Sequence, residues 1–167
     1  MQLRVGFGYD MHRFKAGRDL IIGGVRIDYP LGLEGHSDAD VLVHAICDAL
    51  LGAANLRDIG YNFPDTSADY KNIDSTLLLR KTVELLKEKG YYIGNIDSTV
   101  CAEKPKLNPH IDAMRQRLSE VMGIDTEEIS IKATTSERMG FVGREEGITA
   151  YAVVLIQKKQ YPYFLFS

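Results

Sequence analysis

The run VLVHAICDALLGAA, residues 41–54, constrains the fold more than any other stretch of this 167-residue chain. It is built of helix-forming residues, and its apolar side chains go round the helix instead of forming a single stripe. A helix of that kind is buried on several sides, so the rest of the chain must supply layers that enclose it. Only His44 and Asp48 interrupt the apolar character. They are four residues apart and stack on one face. An imidazole and a carboxylate in a core cost on the order of a few kcal/mol unless each finds a polar partner. Two arrangements meet that demand. In one, the two satisfy each other as a hydrogen-bonded core pair. In the other, His44 is a metal ligand and Asp48 orients it from behind, as carboxylates commonly do for metal-bound imidazoles.

The flanking sequence supplies the layers. Residues 2–8 and DLIIGGVRI (19–27) are β-branched, glycine-punctuated and read as strands. The first helix spans SDADVLVHAICDALLGAANL (37–56), with Ser37 or Asp38 as N-cap. GYNFPDTSADYK (60–71) is polar and lacks periodicity, which marks a functional loop. IDSTLLLRKTVELLKEKG (73–90) is amphipathic and stops at Gly90. YYIGNIDSTVCAE (91–103) alternates as a strand, and KPKL is a loop. NPHIDAMRQRLSEVMG (108–123) is a third helix, with Asn108 as cap and Pro109 at its first position. ISIKATT (129–135) is a strand entering the polar loop SERMGFVGREEG (136–147), and ITAYAVVLIQK (148–158) is the last strand. Strands and helices interleave without repeats or linkers. The expected fold is an α+β or α/β sandwich, one mixed β-sheet covered by helices, in a single domain over 1–167 with 159–167 as a tail.

GYDMHRF (8–14) sets Asp10 and His12 two apart in a strand-like run, which turns both side chains to one face. With His44 they make a two-histidine, one-carboxylate set. Three protein ligands leave a fourth tetrahedral position open, the catalytic rather than the structural zinc pattern. Spacing alone does not single out such a set, because a strand and a helix packed on it meet anywhere along their lengths. The plain alternative is an acid and an imidazole that merely alternate with apolar neighbours.

The totals limit what such a site acts on. A net charge of -3 and a pI near 5.8 leave no electrostatic footprint for nucleic acid, so a phosphate-bearing ligand has to be held by a local site. No apolar run approaches the length of a membrane span, and the N-terminus lacks the pattern of a signal peptide. Cys47 and Cys101 read as two buried thiols in a reducing compartment, and the expected location is cytoplasmic.

Five blocks then occur in order: GYDMHRF, LGLEGHSDADVLVHAICDALLGAA, DIGYNFPDT, DSTVCAEKPKLNPHI and IKATTSERMGFVGREEGI. In these the chain resembles the 2-C-methyl-D-erythritol 2,4-cyclodiphosphate synthase family of the non-mevalonate isoprenoid pathway, over essentially residues 1–158. The resemblance implies cyclisation of 4-diphosphocytidyl-2-C-methyl-D-erythritol 2-phosphate, in which the 2-phosphate attacks the β-phosphate and CMP leaves. It implies that Asp10, His12 and His44 hold zinc and that Glu137 binds magnesium or manganese. The chemistry agrees: the nucleophile is already anionic and needs no general base. What the reaction needs is alignment and neutralisation of crowded negative charge, which divalent cations supply.

The other blocks take roles by the same resemblance. His36 and Ser37 contact the phosphate end of the methylerythritol unit, backed by a helix N-terminus, and His36 and Thr135 are the catalytic pair. Asp58, Ile59 and Gly60, with Phe63, Pro64 and Asp65, line the pocket for the erythritol hydroxyls. Ala102, Glu103, Lys104, Pro105, Lys106, Leu107 and Asn108 form the cytidine loop. Ala133, Thr134, Thr135 and Ser136 complete the CMP side. The family assembles as a homotrimer with active sites between subunits, and Phe141 and Arg144 match residues of a central cavity associated with an isoprenoid diphosphate.

The chain departs from the family pattern at Met11 (usually Val), Asn62 (His), Met139 (Leu), Val142 (Thr) and Glu145 (Gly). The tail QYPYFLFS (160–167) extends past the usual end, and its aromatics are expected to pack on the domain or on a neighbour. Two other functions are compatible with parts of the pattern. A metal-dependent phosphohydrolase would use metal-bound water and need no cytidine loop. A non-catalytic trimer binding isoprenoid diphosphates would need Phe141 and Arg144 and tolerate loss of His44.

Overall fold

The first strand, β1 (Gln2–Ala16), runs well past the expected end at residue 8, so Asp10 and His12 share a strand with the N-terminal apolar run. The computed structural model describes residues 2–64, 66, 70 and 72–158. The aromatic tail and Asp65 lie outside the described residues. The stretch 19–27, expected as one strand, is a hairpin of β2 (Leu20–Ile22) and β3 (Val25–Ile27). It turns at Gly23 and Gly24, whose φ angles of 60° and 71° lie in the left-handed region that suits glycine. This hairpin stands apart as a two-stranded ribbon beside the main sheet. β4 (Leu31–Leu33), too short to show periodicity, pairs antiparallel with the end of β1. β5 (Tyr91–Cys101), β6 (Ile129–Thr134) and β7 (Gly147–Lys158) complete a five-stranded sheet in the order β4-β1-β7-β5-β6. Only the β5–β6 pair is parallel, so the sheet is mixed as expected.

Helix α1 (Val41–Ala53) lies on β1 and β7, and every apolar residue in it except Gly52 is buried. Two glycines of β1 set the distance. A Cβ at Gly8 would meet the carbonyl oxygen of Ala45 at 1.9 Å, and one at Gly6 that of Ala49 at 1.9 Å. The helix backbone therefore rests directly on the strand, and any larger residue would force it away. α1 is capped neither by Ser37 nor by Asp38 but by Asp40, whose carboxylate accepts from Val43 N at 3.1 Å. A single turn, α2 (Ile59–Asn62), occupies the start of the expected polar loop. α3 (Ser75–Glu88) begins after its cap Asp74. The third long helix opens as a 3-10 turn at Asn108–His110 and continues as α4 (Ile111–Met122). Asn108 makes no capping bond there and is the first residue of that turn. Another single turn, α5 (Gly140–Gly143), lies within the polar loop expected at 136–147.

α3 packs on α1 and β5, and α4 on α3 and β6. The helices thus cover one face of the sheet. On the other face Leu3, Val5, Phe7, Tyr9 and Met11 of β1 and Tyr151 and Val153 of β7 are exposed. Among the described residues no helix is long and apolar enough to cross a membrane. Both cysteines are free, Cys47 buried and Cys101 only half-buried. Burial pushes the Cys47 thiol up to about 12, which leaves it inert.

Candidate metal centre and adjoining pockets

Gly6, Gly8, Asp10 and His12 alternate onto the helix-facing side of β1, and the close approach at Gly8 brings α1 over them. His44, one residue before Ala45, then reaches Asp10. Asp10 Oδ2 lies 3.0 Å from His12 Nε2 and 3.0 Å from His44 Nδ1, and the two ring nitrogens are 3.2 Å apart. A tetrahedral ion with bonds of about 2.0–2.1 Å separates its ligand atoms by roughly 3.3 Å. The triangle is therefore close to the size such an ion requires. Burial raises the Asp10 carboxyl, but hydrogen bonds from His12 and His44 outweigh that and hold it at about 2, so it stays anionic. Burial also presses on the His44 imidazole, yet its hydrogen bond to Asp10 and the charges of Asp10, Asp40 and Asp38 keep it above its ordinary value. Two imidazoles and a carboxylate, partly buried and converging, fit a divalent cation.

Asp48 does not orient His44. Its carboxylate accepts from Ile59 N at 2.7 Å and so anchors α2, while the ring of His44 finds its partners elsewhere. Those partners are hydroxyls: Nε2 meets Ser75 Oγ at 2.9 Å and Ser37 Oγ at 3.2 Å. The i, i+4 spacing made Asp48 the natural candidate, and no local pattern pointed to Ser75, which reads as part of a helix cap. Nor does the N-terminus of α1 offer itself to a ligand. Asp40 already sits there, fully buried, accepting from Gly23, Gly24 and Val43 amides.

A cavity of about 220 Å³ opens beside the triad, lined by His12, His36, Ser37, His44, Ile59, Gly60, Phe63, Tyr70 and Leu78. It brings together the expected phosphate and erythritol residues. Ser37 is nearly buried, and Asp58 is turned to the α2 amides, accepting from Tyr61 N at 2.9 Å. Pro64 is exposed at the end of this segment. A second cavity of about 410 Å³ unites Ala102, Pro105, Lys106, Leu107 and Asn108 with Ala133, Thr134 and Thr135. The two cavities share no lining residue.

Glu103 does not line the second cavity but braces it. Its Oε1 accepts from Ser136 N, Ser136 Oγ and Arg138 N at 3.0–3.1 Å, tying the 102–108 loop to the turn that carries Glu137. Glu137 in turn accepts from Thr135 Oγ1 at 2.8 Å. Lys104 pairs with Glu145 at 3.1 Å. Phe141 lines a broad opening of about 830 Å³ with Met11, Arg13, Glu145 and Glu146; Arg144 is not in its lining but pairs with Glu146 at 2.7 Å. Glu145 stands at φ 57°, where the glycine of the family pattern carries no strain.

The model of the YgbB family matches residues 3–157. The chain is 66% identical over 158 residues to the 2-C-methyl-D-erythritol 2,4-cyclodiphosphate synthase of Parabacteroides distasonis, spanning 95% of this chain and 98% of that one. Its fold is similar to that of the bifunctional IspDF of Campylobacter jejuni (TM-score 0.92, 40% identical), over 95% of this chain and 43% of that longer one. It is also similar to IspF of Plasmodium falciparum in its CDP complex (TM-score 0.84, 35% identical), over 95% of this chain and 97% of the other. With the family model spanning nearly all of its length and a relative of that identity matched end to end, the chain belongs to the YgbB family, alongside the 2-C-methyl-D-erythritol 2,4-cyclodiphosphate synthases.

Proposed function

We propose that this chain is a metal-dependent cyclodiphosphate synthase of one catalytic domain. It converts 4-diphosphocytidyl-2-C-methyl-D-erythritol 2-phosphate to 2-C-methyl-D-erythritol 2,4-cyclodiphosphate and CMP. The observation that carries the reading is the Asp10–His12–His44 triangle at the wall of a polar cavity, in a chain 66% identical to a named synthase. Zn2+ at that triangle, and Mg2+ or Mn2+ at Glu137, would supply the positive charge that aligns and screens crowded phosphates. In the reaction an oxygen of the 2-phosphate bonds to the β-phosphorus, the bond from that phosphorus to the α-phosphate oxygen breaks, and CMP departs with the electron pair. His36, at the rim of the first cavity, and Thr135, at the rim of the second, each bring a donor to the reacting phosphates. Ser37 supports the phosphate end, and Asp58, Ile59, Gly60, Phe63, Pro64 and Asp65 take the erythritol unit.

The 410 Å³ cavity is the cytidine pocket of this reading, in keeping with the CDP complex of the Plasmodium falciparum relative. Ala102, Pro105, Leu107, Asn108, Ala133 and Thr134 offer backbone and walls for the base. Lys106 offers charge to the α-phosphate, and Glu103, Lys104 and Ser136 hold the loop in shape. The separate cavities and the bare apolar sheet face support a homotrimer with active sites between subunits. Phe141 supplies an apolar wall, and Arg144 a cation, for an isoprenoid diphosphate at the centre. Free thiols fit a cytoplasmic setting.

Incubation with the cytidyl-diphospho substrate, Zn2+ and Mg2+ should give CMP and cyclic product in equal amounts. His12→Ala and His44→Ala should each lower turnover by at least about a thousandfold and reduce bound zinc. Release of inorganic phosphate in place of the cyclic product, or wild-type turnover in both variants, would overturn the proposal.

A further inference from the structure

His44 presents Nδ1 to Asp10 and His12, and Nε2 to a buried pair of hydroxyls. We propose that Ser75 and Asp38 are positioning residues that hold a proton of His44 on Nε2, so that it is Nδ1, facing Asp10 and His12, that gives up its proton when a metal ion binds. This inference rests on the reading of those three residues as metal ligands.

The argument is one of donor and acceptor capacity. A carboxylate only accepts. Asp38 Oδ2 takes the Ser75 backbone N–H at 3.0 Å, and Asp38 Oδ1 takes the Asp40 N–H at 3.2 Å together with the Ser75 hydroxyl proton. With its proton committed, the Ser75 oxygen has two lone pairs left. His44 Nε2 lies at 2.9 Å and Ser37 Oγ at 3.2 Å, so these two groups must donate. Ser37 Oγ is free to do so because it accepts from Ala39 N at 3.1 Å and keeps its own proton. Every group in the chain Asp38–Ser75–His44 then has a single consistent role with hydrogen on Nε2; the metal-free ring also donates from Nδ1 to Asp10 at 3.0 Å, and that second proton is the one a metal ion would displace. Ser75 is 0% exposed, so no water competes for these lone pairs. Asp38 lies in the loop before α1 and Ser75 opens α3, which makes the ring orientation a property of how two helices meet. Such partners are worth about 10–100-fold in metal affinity where they have been removed from other sites.

Zn2+ affinity, measured by chelator competition at fixed pH, should fall about 10–100-fold in Ser75→Ala and in Asp38→Asn. The asparagine amide can donate to Ser75, which reverses the relay and moves the His44 proton to Nδ1. Long-range proton–nitrogen NMR on histidine-labelled protein reads that proton directly. It should sit on Nε2 in the zinc-loaded wild type, and an Nδ1–H tautomer should grow in metal-free Asp38→Asn. The inference is overturned if folded Ser75→Ala and Asp38→Asn bind Zn2+ as the wild type does. It is equally overturned if zinc-loaded wild type carries its His44 proton on Nδ1, a result that needs no variant to fold. A wild type that binds no Zn2+ at all would instead defeat the metal reading, and this inference with it.

Discussion

Asp10 and Asp40 stand on either side of His44 and are driven in opposite directions by their surroundings. Asp10 has two imidazoles against it and titrates at about 2 despite its burial. Asp40 is hydrogen-bonded by backbone amides instead of imidazoles. Complete burial and the neighbouring Asp38 push its carboxyl up to about 6, against hydrogen bonds from the amides of Gly24, Val43 and Gly23. A carboxyl whose folded value exceeds its unfolded value stabilises the fold below the unfolded value, and that contribution is lost as pH rises through the folded one. In metal-free protein the unfolding free energy of the wild type, relative to Asp40→Asn, should therefore fall between about pH 4 and pH 6 by a few kcal/mol and then level off. Denaturant melts of the two proteins at pH 4, 5, 6 and 7 would show it, and a constant difference would refute it. The cap itself was only half legible. SDAD offers three capping side chains in four residues, and what selects Asp40 is the pair of amides at the Gly23–Gly24 turn, distant in sequence.

At the scale of elements, periodicity was enough to find the long pieces. The amphipathic run became α3, the alternating one β5, and the uniformly apolar one the buried α1. Short elements fixed by tertiary pairing were not legible: β4 and the single turns α2 and α5 contain too few residues to show a period, and 19–27 reads as strand without the turn that splits it into β2 and β3. The misfit of His44 in an apolar helix did announce a polar centre. The means of its assembly lay in Gly6 and Gly8, whose missing side chains read only as strand punctuation. Those glycines make a comparison possible. Gly8→Ala drives a methyl into the Ala45 carbonyl directly over the triad, and Gly6→Ala makes the same collision a full turn farther along α1, at Ala49. Each should cost about 1–3 kcal/mol of stability, or more if the helix cannot shift. Zn2+ affinity should fall at least about tenfold further in Gly8→Ala than in Gly6→Ala, because only the first displaces His44 from Asp10 and His12. Equal affinities in two folded variants would contradict this geometry.

For the whole molecule, the decisive feature is a sheet clothed on one side only. Val5 is 68% exposed and Phe7 64% exposed, and Tyr9 packs against Tyr151 in a tilted arrangement with ring centroids 5.1 Å apart on the same bare face. A contiguous apolar surface of this kind is a liability on a lone subunit and an asset at an interface. The strand alternation that sends Asp10 and His12 inward also sends Phe7, Tyr9 and Met11 outward, so site and surface are coupled through one strand. Under the proposed trimer, substrate must span the triad-side cavity of one subunit and the cytidine pocket of the next. Phe7→Asp places a charge in the middle of that face while leaving the inner face of β1 untouched. Its sedimentation should correspond to a single chain where the wild type sediments as three. Zinc content should stay near the wild-type level, and turnover of the cytidyl-diphospho substrate should drop by at least about a hundredfold because each pocket has lost its counterpart. Full turnover by a variant that sediments as a single chain would show that one subunit holds a complete site, and would remove the reason for assembly.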